Sequence, residues 1–176
     1  LINQKLSNDI SEQEIAEYYG KNKELFKLET PLIKGLFIKV PLTAPQLNNV
    51  RRWYKSDKQD AVESLEKYSL QNAVKYEYFY DKWVSVTDVL DMIPLKVEAP
   101  EEYVDKHRQV ELKDTAYYYF LNVSDYRGIG EEKPYEFARS EVKDLLVNQK
   151  RVSFMEQVKN DLYQQAVSKK KIIYNY

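Results

Sequence analysis

The chain has 176 residues, of which 31% are charged and 43% are hydrophobic, and its net charge is -1. This balance is typical of a globular protein with one sizeable core, and it excludes a global electrostatic attraction to nucleic acid or to an anionic membrane. The sequence has no cysteine, which excludes disulfides and thiolate sites, and no apolar run approaches the roughly 20 residues that span a bilayer.

The chain begins at Leu1, with neither a methionine nor a signal peptide. We therefore interpret it as a protein whose leader has been removed, or as a piece of a longer protein. Its composition is unusual in having only 4 glycines but 16 tyrosines. Scarce glycine disfavours phosphate-binding loops, whereas tyrosine, with an apolar ring and a polar tip, suits half-hydrated interfaces.

The first predicted element is a helix that a strand follows. Ser11 and Glu14 form a capping-box pattern ahead of an apolar stripe, so the helix should begin there and run to about Phe26. Pro31 forbids its continuation and opens an extended stretch. Residues 32–40 carry apolar side chains on both faces, which predicts a central strand.

Helical spacing of apolar residues predicts further short helices in the middle of the chain. Ser56 and Asp57 supply the break and the cap between the first two of them. The predicted helices span residues 46–55, 58–70, 86–93 and 100–106.

Alternation of apolar and polar residues predicts the remaining strands. The first covers residues 74–80, and a β-hairpin follows with strands over 108–113 and 116–123. Asp114 and Thr115 close this hairpin. Its second strand is apolar on both faces and should therefore be the other central strand.

A long helix is predicted near the end of the chain. It covers residues 134–168, with Pro134 suited to its first turn. Such a helix would be roughly 50 Å long, so we expect it either to extend beyond a small domain or to bend near residues 148–150, where Gln149 interrupts its apolar stripe. Residues 171–176 are predicted as a short strand.

These elements predict an α+β fold. Neither terminal helix can bury its apolar stripe alone, so we expect the two ends of the chain to pack together. Residues 1–30 and 131–176 would form a discontinuous helical module. Residues 31–130 would form a sheet domain inserted between them.

The candidate residues for chemistry are few. His107 is the only histidine, and it lies beside Asp105 and Arg108 in a charged stretch typical of an exposed linker. A general base at neutral pH is usually a histidine that a carboxylate orients. One histidine without cysteine is also not the ligand set of a zinc site.

Aromatic residues form the best candidate for a binding surface. Tyr76, Tyr78, Tyr80 and Trp83 lie close in sequence, as do residues 117–120. Core packing should account for most of them. Tyrosine and tryptophan are also the residues that bind polypeptide chains at low cost in conformational entropy, so both interpretations are kept.

Several segments resemble the SurA- and PrsA-type periplasmic isomerase-chaperones. Residues 11–19, Ser-Glu-Gln-Glu-Ile-Ala-Glu-Tyr-Tyr, look like the helix before the parvulin domain. Residues 31–40 stand where the first parvulin strand belongs, and residues 117–125 resemble the last. Residues 151–166, followed by Lys-Ile-Ile at 171–173, resemble the returning helix of that family.

The resemblance implies a small antiparallel parvulin-like sheet inserted into a helical chaperone module that acts on unfolded envelope or outer-membrane proteins. Active parvulins twist the bond before proline in an apolar pocket bordered by two histidines on the central strands, against a barrier of about 18–20 kcal/mol. Here Gly35 and Tyr119 stand at those two positions. The glycine-rich segment of the family is also missing, because residues 58–94 contain no glycine.

The resemblance therefore predicts that chain binding is kept while isomerase activity is reduced or lost, with no catalytic residue, metal or cofactor. Tyr119 would supply a hydroxyl, and Phe79 and Met92 would line a remnant pocket. The candidate peptide-binding residues are Gly35, Phe79, Trp83, Met92, Tyr117 and Tyr119.

The expected partners are unfolded or proline-containing polypeptides in the periplasm or cell envelope. We expect no nucleic acid, contact with a membrane only through an N-terminal anchor, and self-association into a homodimer as an option. Two alternatives stay open. One is a working prolyl isomerase with an altered site. The other is a non-catalytic structural or dimerisation module of an envelope complex, which the long terminal helix suggests.

Overall fold

A computed structural model describes residues 5–7 and 9–174, with side chains described as far as residue 170. The chain divides into two compact units. One unit, here called the helical unit, consists of Leu1–Phe26 and Glu132–Tyr176, and the other, the sheet unit, is Lys27–Glu131. No helix among the described residues is long and apolar enough to cross a membrane.

The elements follow one another in an α+β order. They are α1 (Glu12–Lys21), a 3₁₀ turn (Lys23–Leu25), β1 (Leu32–Pro41), α2 (Leu47–Tyr54), α3 (Gln59–Asn72), β2 (Lys75–Ser85), α4 (Val86–Leu90), α5 (Pro100–Lys106), β3 (Gln109–Lys113), β4 (Tyr117–Arg127) and α6 (Tyr135–Tyr174).

The four strands form one antiparallel sheet in the order β2-β1-β4-β3. β1 and β4 are therefore the central strands, as their two apolar faces predicted. The register of β1 shifts beside Gly35 against both of its neighbours. Such an irregularity is typical of a β-bulge, and it bends the strand locally.

Each face of the sheet is covered by a pair of helices. On one face, Phe37 and Phe79 pack with residues of α4 and α5, including Val89 and Val104. On the other face, Ile38 and Phe120 pack with residues of α2 and α3. The tyrosine-rich strands therefore contribute to two cores, one on each side.

The helical unit has a small core of its own. Ile15 and Phe26 pack with Ala138 and Val142 of α6. The capping box predicted at the start of α1 is confirmed, since the Ser11 hydroxyl accepts a bond from the backbone N–H of Glu14. The apolar stripe of α1 thus finds a partner at the beginning of α6.

The predicted end of the first helix was wrong. α1 stops at Lys21, five residues before the predicted end at Phe26. Asn22 ends it, because its side-chain amide donates to the Tyr18 carbonyl at 2.9 Å and its backbone leaves the helical region. A 3₁₀ turn then leads into Phe26.

Four further local predictions in the sheet unit were wrong. β2 continues to Ser85 and β4 to Arg127, past the ends predicted at residues 80 and 123. Asp57 does not cap α3, because Lys58 holds the N-cap position without a side-chain bond, and the Ser56 hydroxyl accepts from the Lys58 N–H at 3.2 Å. The helix predicted over residues 86–93 ends at Leu90. Turns continue from there to Ile93.

α6 is a single helix of 40 residues, which makes it about 60 Å long. It is continuous through residues 148–150 and does not end at 168, because no glycine or proline interrupts residues 135–174. The strand predicted over 171–176 was wrong for residues 171–174, which are helical. Residues 175 and 176 lie outside the described part of the chain.

Candidate functional site

The two positions that correspond to the parvulin histidines lie on the central strands of the sheet. Gly35 of β1 stands opposite Val123 of β4, whereas Tyr119 of β4 stands opposite Lys39 of β1. They therefore occupy different levels of the same pair of strands. Local contacts explain why glycine occupies the first position and tyrosine the second.

Gly35 leaves no room for a side chain. A Cβ atom at this position would lie 2.0 Å from the carbonyl oxygen of Asn122 and 3.3 Å from the ring of Phe79. The first of these distances is far below van der Waals contact, and the obstacle is backbone rather than a mobile side chain. A histidine therefore cannot occupy this position unless β1 and β4 move apart.

Tyr119 has a buried side chain whose hydroxyl is already engaged. The side chain is 5% exposed, and the hydroxyl donates to the Asp114 carboxylate at 2.5 Å. The other carboxylate oxygen accepts from the backbone N–H groups of Ala116 and Tyr117 at 2.9 and 2.8 Å. Asp114 thus organises the whole hairpin turn between β3 and β4.

This bond shifts both partners away from proton transfer at neutral pH. Bonding to the Asp114 carboxylate, together with burial, raises the pKa of Tyr119 to about 12. The same bond, followed by the two backbone N–H groups, lowers the pKa of Asp114. Tyr119 stays a neutral phenol and Asp114 a carboxylate, so neither is suited to general acid or base catalysis.

Tyr117 lies half-buried at the same end of the sheet. Its ring meets that of Tyr119 edge to face at 6.4 Å. The Lys39 ammonium lies 4.2 Å from the centre of the Tyr117 ring and 5.4 Å from that of Tyr119. Both rings therefore already hold a cation from the neighbouring strand.

Phe79 and Met92 are brought together in one cleft, here called the apolar groove. It has a volume of about 290 Å³, and its apolar walls are Phe79 and Val84 of β2, Val89 of α4, and Met92. Charged side chains of β2 and α4 also line it. Tyr117 and Tyr119 pack on the same core cluster but do not line this groove.

Trp83 does not line the apolar groove either. Its half-buried ring has the Lys34 ammonium at 4.9 Å and the Arg127 guanidinium at 5.0 Å from its centre. These are cation–π distances. The predicted peptide-binding residues thus fall into separate places: Phe79 and Met92 together, Tyr117 and Tyr119 together, and Trp83 apart.

The other tyrosines of β2 face the opposite side of the sheet. Tyr80 accepts a bond from the buried Asn122 amide at 2.9 Å, and burial raises its pKa. The Tyr76 hydroxyl is buried without a hydrogen-bond partner in the described chain, and burial raises its pKa to about 12. Tyr78 is 42% exposed.

A second cleft, here called the acidic groove, lies between these tyrosines and α3. Its volume is about 380 Å³. It is lined by Tyr76 and Tyr78 and by three carboxylates, those of Asp57, Glu63 and Glu66. Sequence reasoning missed these carboxylates, because only the placement of β2 beside α3 brings them to the tyrosines.

His107 is exposed, as a linker histidine should be. Its ring stacks on that of Tyr103 at 4.0 Å, and Nδ1 lies 3.2 Å from the Tyr103 carbonyl oxygen. Within residues 5–7 and 9–170, no group of three histidine, aspartate or glutamate side chains is placed to hold a metal ion.

The distal part of α6 exposes large apolar side chains. We call this set the distal surface: Val152, Phe154, Met155, Val158, Leu162 and Tyr163, which are between 39% and 67% exposed. Four of them follow one another at helical spacing along one face. The sequence shows this stripe. Its exposure is a consequence of the short α1, which covers only the beginning of α6.

Comparisons with known proteins do not establish a family for this chain. No protein-family model and no curated protein matches the sequence. Among solved structures, the chain has a distant likeness to one described as that of two SurA-like chaperones of Campylobacter jejuni, the virulence factor PEB4 and the periplasmic protein Cj1289. The identity is 9% over 93% of this chain, which spans 66% of that one, and the TM-score of 0.36 is too low to establish a shared fold.

Proposed function

We propose that this protein is a SurA-like holdase chaperone of the periplasm or cell envelope, which binds unfolded or proline-containing polypeptides and has little or no prolyl isomerase activity. The observation that carries this proposal is the distal surface of α6. Soluble proteins rarely leave so many large apolar side chains exposed on one element without a binding role.

The distal surface suits a variable client. Its apolar side chains include Met155, and methionine adapts its shape to many partners because its side chain is long and unbranched. Each methylene group that a client buries there contributes about 0.8 kcal/mol. Arg151, Glu156 and Lys159 flank the apolar residues, so a client of either charge finds a complementary group.

The sheet unit supports the loss of isomerase activity. An isomerase lowers the barrier to rotation about the bond before proline by stabilising the twisted amide. Gly35 offers no side chain for this purpose, and the Tyr119 hydroxyl is bonded to Asp114. Both positions therefore serve the sheet and the hairpin turn instead.

The first experiment is an aggregation assay with an unfolded outer-membrane protein as client. The wild-type protein should slow aggregation, and Met155→Gln with Leu162→Gln should remove most of this effect, since glutamine keeps the helix but not the apolar surface. Gln157→Ala with Gln164→Ala is the matched control, at the same spacing on α6. If the wild-type protein neither binds the client nor slows its aggregation, the proposal fails.

The second experiment is a refolding assay in which proline isomerisation limits the rate. We expect no acceleration over the uncatalysed rate for several residues before proline. A clear acceleration would instead support the alternative of an active isomerase with an altered site.

The second alternative, a structural or dimerisation module, also involves the distal surface. A second copy of the chain would then cover it. Light scattering distinguishes the cases: a monomer supports the holdase, whereas a stable dimer that dissociates on Met155→Gln with Leu162→Gln supports the structural module.

A further inference from the structure

The two edges of the sheet differ in length and in cover. β3 has 5 residues, and α2 reaches over it: Arg51 pairs with Glu111 at 3.0 Å, and Gln109 donates to the Lys55 carbonyl at 3.3 Å. β2 has 11 residues and pairs only with β1 among the described strands. Its first half is mostly exposed, so the outward N–H and C=O groups of β2 form an open edge.

A cleft lies on each face of β2. Successive side chains of a strand point to opposite faces. Tyr76 and Tyr78 accordingly line the acidic groove, whereas Phe79 lines the apolar groove. A strand added beside β2 would have the same alternation, so its side chains would enter the two grooves in turn.

The acidic groove selects for positive charge. Among the described residues, none of its carboxylates, Asp57, Glu63 and Glu66, lies within the 4.0 Å of a lysine or arginine nitrogen that defines an ion pair. The exposed ring of Tyr78 adds a face on which a cation can rest. The apolar groove offers Phe79, Val84, Val89 and Met92 to an aliphatic or aromatic side chain, and four charged residues, Lys75, Glu77, Lys82 and Asp88, also line it.

We propose that the open edge of β2 binds an extended polypeptide segment as a fifth strand, and that this segment alternates cationic with apolar side chains. The backbone of the segment pairs with β2, its lysine or arginine side chains enter the acidic groove, and its apolar side chains enter the apolar groove. Backbone pairing supplies affinity in this mode of recognition, and the grooves supply specificity.

Features that protect a sheet edge from unspecific pairing are present on β2, and they limit the length of the partner. Lys75 and Glu77 form a weak ion pair at 3.9 Å on the exposed strand, and the register shift opposite Gly35 interrupts regular pairing after Phe79. Charges and bulges of this kind discourage unspecific strand addition. The partner is therefore short, roughly six residues. This site lies in the sheet unit and is independent of the proposed holdase surface.

The test uses acetylated and amidated peptides of about six residues that carry a fluorophore, with binding measured by anisotropy. A peptide of alternating arginine and valine should bind, and one of alternating glutamate and valine should bind at least about tenfold more weakly. Glu63→Lys with Glu66→Lys should weaken binding of the arginine peptide about tenfold. The control Glu29→Lys with Glu98→Lys makes the same charge change outside both grooves and should bind like the wild type.

Strand pairing is tested separately on the unaltered protein. The N–H groups of alternate residues in a strand point to opposite edges. Only one of the two sets, the arginines or the valines, directs its N–H groups toward β2. N-methylation of that set should abolish binding, whereas N-methylation of the other set should leave binding nearly unchanged. Equal binding of the two methylated peptides, or of the two charge-reversed proteins, would overturn the proposal.

The outcome is separable from that of the holdase proposal. Met155→Gln with Leu162→Gln, which should impair the aggregation assay, should leave binding of the arginine peptide within about twofold. If that variant instead loses both activities, the peptide does not bind at the edge of β2 and the proposal is wrong.

Discussion

The centre of the sheet and the distal part of α6 are both rich in large apolar and aromatic side chains, but they differ in what those side chains touch. In the sheet, Phe37 and Phe120 are fully buried, and Tyr119 bonds to Asp114. On α6, Met155 and Leu162 are 58% and 61% exposed. Residues of similar chemistry are thus buried in the core of the sheet and exposed for binding on α6.

An abundance of aromatic residues therefore does not locate a binding surface. Tyrosine is frequent in the strands, where Tyr119 is buried and most of the others are partly buried against the two cores. The available apolar area lies on α6, where valine, leucine and methionine outnumber tyrosine. An apolar stripe stays exposed where no second element covers it, and α1 is too short to cover all of α6.

The largest expected effect comes from truncation in the sheet. Phe120 is fully buried and contacts the Tyr54 ring at 5.0 Å, so Phe120→Ala should cost about 3–5 kcal/mol of unfolding free energy. Urea denaturation followed by tryptophan fluorescence measures this, because both tryptophans lie in the sheet unit. A loss below about 1 kcal/mol would show that the centre of the sheet is loosely packed, and the two regions would then not differ in packing.

A smaller loss is expected at the bulge. Gly35→Ala should cost about 1–3 kcal/mol, because the new methyl group overlaps the Asn122 carbonyl. Gly20→Ala is the contrasting control: nothing lies within 4 Å of the added atom, so alanine should stabilise α1 by about 0.5–1 kcal/mol. Denaturation of the two variants separates backbone crowding from the general effect of removing a glycine. Equal effects of the two substitutions would contradict the close approach at Gly35.

The hairpin turn should give the sheet a dependence on pH. The pKa of Asp114 is lowered in the folded state, so its contribution is present above the unfolded value of about 3.9 and is lost as pH falls through the folded value. The pKa of Tyr119 is raised to about 12, so its contribution is present below about 10 and is lost as pH rises through the folded value.

Thermal unfolding at a series of pH values tests the acid side. Asp114→Asn should show a smaller loss of stability than the wild type as pH falls below about 4. Asp81→Asn, which removes an exposed carboxylate of β2 without a hydrogen bond in the described chain, should behave like the wild type. If Asp114→Asn keeps the full acid dependence, the carboxylate does not hold the turn.

The smallest effect on stability is expected on α6. Met155→Gln and Leu162→Gln should each change the free energy of unfolding by no more than about 0.5 kcal/mol, because surface positions without partners contribute little. Circular dichroism during thermal unfolding measures this. A loss of several kcal/mol, on the scale of a buried position, would mean that the distal surface is covered in solution, which would remove the difference between the two regions.

The presence and order of the strands were predictable from sequence because their signals are local, but the ends of β2 and β4, at Ser85 and Arg127, were not. Apolar residues on both faces marked β1 and β4 as central, and the turn residues Asp114 and Thr115 marked the hairpin. Helix ends were less predictable. Asn22 ends α1 through a hydrogen bond from its side chain to the Tyr18 carbonyl. Such a bond competes with the backbone bonds that would continue the helix, and the spacing of apolar residues does not reveal it.

The candidate site was predictable only in part, because it depends on contacts between distant residues. The apolar groove unites Phe79 with Met92, as the resemblance implied, but the position of Tyr119 away from it follows from the register of β4 against β1. The carboxylates of α3 join the tyrosines of β2 only in three dimensions. A glycine inside a strand does signal a close backbone approach, so Gly35 was the one local clue to the crowded centre.

The division of the chain also sets an order of closure during folding. The sheet unit is a contiguous stretch, whereas the helical unit depends on contacts between distant residues, since Ile15 packs with Ala138 and Val142. Because closing a longer loop costs more conformational entropy and domains fold as units, the sheet can be complete while α1 is not yet packed on α6. During that interval the apolar stripe of α1 is itself an unprotected segment of the kind that chaperones bind.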